Sequence, residues 1–198
     1  MKRLIALFIP IFTLTLTLYA VLTPVEAMSK DISGKVFRLH IIANSNSDAD
    51  QALKLKVRDE ILKYTKEFYA DCESCEEAQS ITAAHLKDIQ TRAQQTVAFY
   101  GYEYDVHAYT AREYFNTRVY DGFALPAGYY ESLKIVIGEG LGKNWWCVMY
   151  PAVCISGCTD DFDDTLTKEE TQLVTERKYI VRFKIIEIVE RIKEKGRF

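Results

Sequence analysis

Three histidines, His40, His85 and His107, are where hydrolytic or metal chemistry would have to begin. None stands in an H-E-x-x-H or other two-ligand spacing, so a zinc hydrolase is not signalled. His40 and His107 fall in segments that read as strands and His85 in one that reads as helix, where a hydrogen-bonded structural histidine is the ordinary role. Cys72-Glu73-Ser74-Cys75 has the spacing of a redox pair or of half a zinc site. A thioredoxin-like motif follows a strand and opens a helix; here a helix precedes it and no second C-x-x-C exists, so a disulfide stapling a helix–helix turn is expected. Asn44-x-Asn46-x-Asp48-x-Asp50 begins like a calcium loop, but an EF-hand needs Gly at its sixth and Glu at its twelfth position. Counting from Asn44 gives Ala49 and Leu55, and from Asn46 gives Gln51 and Val57, so a turn capping a helix is the better reading. Gly138-Glu139-Gly140-Leu141-Gly142-Lys143-Asn144 places three residues between Gly138 and Gly142 and an Asn after the Lys. A phosphate loop needs four residues and then Ser or Thr, so a flexible loop is expected. The residues therefore imply no metal, no cofactor and no catalytic constellation, and the chain is expected not to be an enzyme.

The binding chemistry is more informative. Trp145 and Trp146 open the run Trp145-Trp146-Cys147-Val148-Met149-Tyr150-Pro151. Adjacent side chains of a strand point to opposite faces, so one indole can enter the core while the other anchors a partner beside Asn144. Cys147 and Cys154 flank Pro151, and a bridge between them would fix the shape of this loop and lower the cost of ordering it; that disulfide is expected. Arg38, Asp50, Lys54 and Arg58 are candidates for a polar partner-binding surface beside it.

These residues need elements to hold them. Val36 to Ala43 reads as a strand with Phe37, Leu39 and Ile41 on one face. After the Asn/Ser/Asp turn, a helix should run from about Ala49 to Tyr69, and Ser74-Cys75-Glu76-Glu77 fits a capping box opening a second helix to about Tyr100. Tyr104 to Phe115, Val119 to Leu125 and Tyr129 to Ile137 are aromatic and β-branched and read as strands. Thr167-Lys168-Glu169-Glu170 is another capping box. Val174, Val181, Ile185, Ile188 and Ile192 then recur on one face of an amphipathic helix that can dock on its own core, on a partner helix or on a membrane. The run Tyr179 to Ile186 reads alternatively as a strand. The fold class is α+β: two long helices packed on a mainly antiparallel sheet, with a C-terminal amphipathic helix.

The ends bound where this happens. Lys2 and Arg3 precede an apolar run from Leu4 to Leu22, Pro24 follows, and Val25-Glu26-Ala27 is a small-x-small cleavage site. That is a secretory signal peptide over residues 1–27. As a helix the apolar run would reach about 28 Å, so an uncleaved membrane anchor is the alternative. The organisation expected is a signal peptide, a single domain over 28–158, and an acidic linker with the amphipathic segment over 159–198. Loss of 1–27 leaves 23 basic against 27 acidic residues, a net charge of −4, which gives no electrostatic reason to bind nucleic acid.

Two stretches together resemble the stage II sporulation protein R family of endospore-forming bacteria: RLHIIANSNSDADQALKLKVRD from Arg38 to Asp59, and LPAGYYESLKIVIGEGLGKNWWCVMYPAVC from Leu125 to Cys154. The chain departs from that family's F-P-P-L-C pattern at Tyr150-Pro151-Ala152-Val153-Cys154. The resemblance implies a protein made in the forespore and exported into the space between the two septal membranes. There it would activate a membrane-embedded aspartic protease of the mother-cell membrane that processes the sigma-E precursor. The residues themselves leave two other readings open, an exported cell-wall hydrolase using Asp48 or Asp50 and an envelope or lipid-binding protein.

Overall fold

The computed structural model describes residues 2–69, 71–151 and 165–195. Its elements in chain order are α1 (Lys2–Lys35), β1 (Phe37–Ile42), α2 (Asp48–Thr65) continued by a 3-10 turn (Lys66–Tyr69), α3 (Cys75–Ala84), α4 (Leu86–Phe99), β2 (Val106–Phe115), β3 (Arg118–Val119), β4 (Ala124–Leu125), β5 (Gly128–Ile137), β6 (Asn144–Tyr150), α5 (Lys168–Thr175) and α6 (Lys178–Lys195).

Alternation of side chains along β1 decides the layers. Phe37, Leu39 and Ile41 face one way and meet Leu53, Val57 and Ile61 of α2 and Ile89, Ala93 and Val97 of α4 in one apolar core. Val36, just before β1, faces a second core with Phe115, Tyr130 and Val148, closed by Val25 and Ile32 of α1, Leu173 and Val174 of α5, and Phe183 and Ile186 of α6. The sheet thus lies between α2–α4 and a second layer of α1, α5 and α6. Its strand order is β2-β5-β1-β6. β1 pairs parallel with β5, Leu39 opposite Leu133, and antiparallel with β6, Leu39 opposite Cys147. β2 pairs antiparallel with β5, Thr110 opposite Leu133. Two of the three pairings are antiparallel, as the α+β reading expects.

The differences have local causes. The second expected helix is two: His85 leaves helical angles at φ −100°, ψ 9°, and its ring stacks on Phe68 at 4.5 Å. The expected strand from Val119 to Leu125 is a small β3–β4 hairpin turning at Gly122, whose φ is +86°. Ser74 accepts from the Glu77 amide as expected, but the Glu77 carboxylate reaches the amide of Glu73 rather than that of Ser74. At Thr167 both halves of the capping box form. The expected C-terminal helix breaks between Thr175 and Lys178, and Tyr179 to Ile186 is helical rather than strand. It docks on the core, but by Phe183, Ile186 and Glu187; Val181, Ile188 and Ile192 are exposed.

Candidate functional site

The two stretches that stand out in the sequence form one structure at the end of β1. Ser47 caps α2 by accepting from the Asp50 amide at 3.1 Å. Asn44 donates its amide to Asp50 at 3.0 Å and accepts from the amide of Glu139 at 3.0 Å. Leu141 and Gly142 donate backbone hydrogen bonds to the carbonyls of Asn44 and Ala43 at 3.0 and 2.9 Å. The glycine loop between β5 and β6 is therefore clasped to the cap loop, and the glycines are required by that contact. An added Cβ at Gly142 would overlap the Ser45 carbonyl oxygen, and one at Gly138, where φ is +57°, would overlap the Asn44 side chain. Burial pushes the Asp50 carboxyl up, but hydrogen bonds from Ser45, Asn44, Tyr104 and Ser47 bring it below its ordinary value.

The clasp presents β6. Trp145 and Trp146 point to opposite faces of the sheet, as a strand requires, and both are half-buried. On the helix side, the guanidinium of Arg58 lies 4.3 Å from the Trp145 ring centre, a cation–π contact. Lys54, beside it on α2, is buried and donates to the carbonyl of Lys143 at 2.9 Å and to Gln51 at 2.6 Å. Burial, then repulsion from Lys143 and Arg58, lowers its pKa.

On the other side, Trp146 stacks on His40 with ring centres 3.7 Å apart. His40 Nδ1 lies 2.7 Å from Glu113 Oε1, and Nε2 lies 2.9 Å from Asn144 Oδ1. Glu113 also accepts from Ser132 at 3.0 Å and from Lys134 at 2.9 Å. Burial pushes the Glu113 carboxyl up, but the His40 and Lys134 contacts outweigh it and hold the group down at about 2. One residue along β1 from Leu39, Arg38 is fully buried, its guanidinium 4.1 Å from the centre of Phe115 and 4.8 Å from that of Tyr130. One terminal nitrogen donates to the Tyr120 hydroxyl; Nε and Nη1 have no hydrogen-bond partner.

This geometry sorts the expected site residues. Asn144 is exposed, Trp145, Trp146 and Arg58 are partly so, and these four can be touched from outside. Arg38, Asp50 and Lys54 are buried, so the polar surface expected of them is an interior scaffold. Each sits under a loop or strand that the sequence alone does not place over it. Glu113, Ser132 and Lys134 are not legible in the sequence, because they join the site only through the pairing of β2 with β5 and of β5 with β1, and Tyr120 joins it only where the β3–β4 hairpin meets Arg38. The His40 cluster does not have the geometry of an activated nucleophile: Ser132 hydrogen-bonds the carboxylate rather than the imidazole, whose far nitrogen faces Asn144. Among the described residues no group of His, Cys, Asp and Glu is arranged to hold a metal ion.

The cysteines divide. Cys147 is buried on β6, while its expected partner Cys154, and Cys158, lie outside the described residues. Cys72 and Cys75 are free thiols, not the expected staple. Cys72 donates to the Phe68 carbonyl at 3.4 Å and Cys75 accepts from Gln79 at 3.2 Å. Burial pushes the Cys75 thiol up to about 11, the opposite of what a redox thiolate needs.

Comparison with known proteins gives a family match whose range includes both stretches. The family described as Stage II sporulation protein R matches residues 33–160. This chain belongs to the stage II sporulation protein R family. Stage II sporulation protein R of Bacillus subtilis (strain 168) is 31% identical over 188 residues, spanning 89% of this chain and 84% of that protein. No solved structure matches the chain. The family places the protein's role in sporulation. The apolar first part of α1 is compatible with a signal peptide or an anchor: residues Ile9–Lys35 are long and apolar enough to cross a membrane.

Proposed function

We propose that this protein is an exported signal of endospore formation, passing from the forespore into the space between the septal membranes. There it switches on a membrane-embedded aspartic protease of the mother-cell membrane, which cleaves the sigma-E precursor. The reading rests on membership of the family and on the β6 patch. Asn144 stands exposed at the strand's start, flanked by Trp145 under Arg58 and Trp146 over His40. Two aromatic anchors on a strand held by a fixed loop suit recognition of a protein surface. In this reading the peptidase carboxylates belong to the partner, and the chain supplies contact.

The test is reconstitution in a non-sporulating host: the chain with its leader, the protease and the precursor are co-expressed and precursor cleavage is followed. Cleavage is expected only when both the chain and its leader are present. Asn144→Ala, with exported protein at unchanged level, is expected to lower cleavage about tenfold, the size of a modest interface anchor. No cleavage by an exported, folded chain with a competent protease overturns the proposal. Full cleavage by Asn144→Ala moves the contact off this patch.

A further inference from the structure

We propose that α6 is a membrane-surface helix whose outward stripe lies on an anionic lipid bilayer. The observation that carries this is an inversion of the usual arrangement. A surface helix of a folded domain ordinarily turns its apolar stripe inward and its charged face to water. In α6 the core-facing side is Phe183, Ile186 and Glu187, all buried. The stripe formed by Val181, Ile185, Ile188 and Ile192, at steps of four, three and four residues, lies roughly half a turn away. Val181, Ile188 and Ile192 are 64%, 54% and 64% exposed. A row of β-branched side chains pointing away from the domain gains nothing in water, and its period fits one continuous apolar surface.

Charge selects the occupant. Lys184 and Arg191 flank the stripe on one side and Lys178 and Arg182 on the other. Glu187, the acid that pairs with Lys184 and Arg191, is turned into the domain. Lys178 pairs with Glu176, just before the helix. From Lys178 to Phe198 the sequence carries seven basic and three acidic residues, an excess of +4 in a chain whose net charge is −3. Basic side chains bordering an apolar stripe extend their stems along it and place their charges at the headgroups. Position agrees. α6 packs on α1, and α1 carries its own row of exposed apolar side chains from Ile9 to Tyr19, within the segment long enough to cross a bilayer.

The experiment uses the full chain reconstituted into vesicles of phosphatidylcholine alone or with phosphatidylglycerol, each doped with lipids brominated on the acyl chain. Ile188→Trp, and independently Val181→Trp, report contact through quenching, corrected for the native tryptophans in the parent chain. Phe99→Trp, also exposed but on α4 across the sheet, is the control. At least threefold stronger quenching of the two α6 reporters than of the control in the anionic vesicles is expected, and weaker quenching in neutral ones. Quenching no greater than the control's overturns the proposal, as does an α6 buried instead against a second copy of the chain. Equal quenching in both kinds of vesicle overturns the assignment to an anionic surface.

Discussion

Glu113 joins three strands through one side chain, since it accepts from His40 on β1 and from Ser132 and Lys134 on β5 while sitting on β2. Its carboxyl is held at about 2, below the ordinary 4.5. On acidification the unfolded chain takes up this proton first. The stability contributed by Glu113 is therefore complete above about pH 4.5 and is lost as pH falls toward 2. Glu113→Gln is expected to cost about 1–3 kcal/mol at neutral pH, because two buried donors lose a charged acceptor, and to flatten the dependence between pH 5 and 2. Urea unfolding of both proteins across that range measures it; an unchanged slope would show that the carboxylate is not coupled to the fold. At this scale the sequence is least legible. The sequence implies a hydrogen-bonded structural role for His40, and the side chain has it, but its partners lie 73 and 104 residues away. No local pattern announces Glu113, because its role depends on strand pairing that residue spacing does not encode.

Elements were more readable where a backbone signal was present. The Ser47 and Thr167 caps form where the polar residues precede apolar periodicity, and β1, α2, β2 and β5 lie where alternation and helical spacing place them. Failures occurred where tertiary contact overrides the local signal. His85 ends one helix and starts another because its ring finds Phe68, and the C-terminal stripe faces out although its periodicity resembles that of a core-facing helix. The glycine loop has the composition of a flexible segment, but it is a clasp. Gly142→Ala puts a methyl against the backbone oxygen of Ser45 and the side chain of Ala43. Relieving it must part the glycine loop from the cap loop after β1, and the expected cost is about 2–4 kcal/mol. Thermal unfolding measures the cost. A substitution that leaves the midpoint unchanged would mean that the two loops do not hold one another.

Across the whole molecule, α1 is two halves with opposite requirements. Its first half exposes Ile9, Phe12 and Leu16, while its second buries Val25, Ser29 and Ile32 against the second core. The expected cleavage point after Ala27 falls inside this helix, two residues beyond the buried Val25. Ile32→Ala is expected to lower stability by about 2–5 kcal/mol, as for a fully buried isoleucine, whereas Ile9→Ala should leave the domain's unfolding unchanged. Parallel denaturation of the two variants in detergent checks this; equal effects would mean that α1 does not divide as described. The arrangement of the sheet has a consequence in time. β1 is the first strand made, and in the finished sheet it lies between β5 and β6, whose partner residues come 94 positions later in β5 and 102 to 113 later in β6. A chain leaving a ribosome or crossing a membrane from its N-terminus must carry that strand unpaired until nearly all of the domain has emerged. Closing so long a loop before any sheet contact rewards it makes folding slow and late. Such a chain completes its sheet only when β6, the last strand, has emerged.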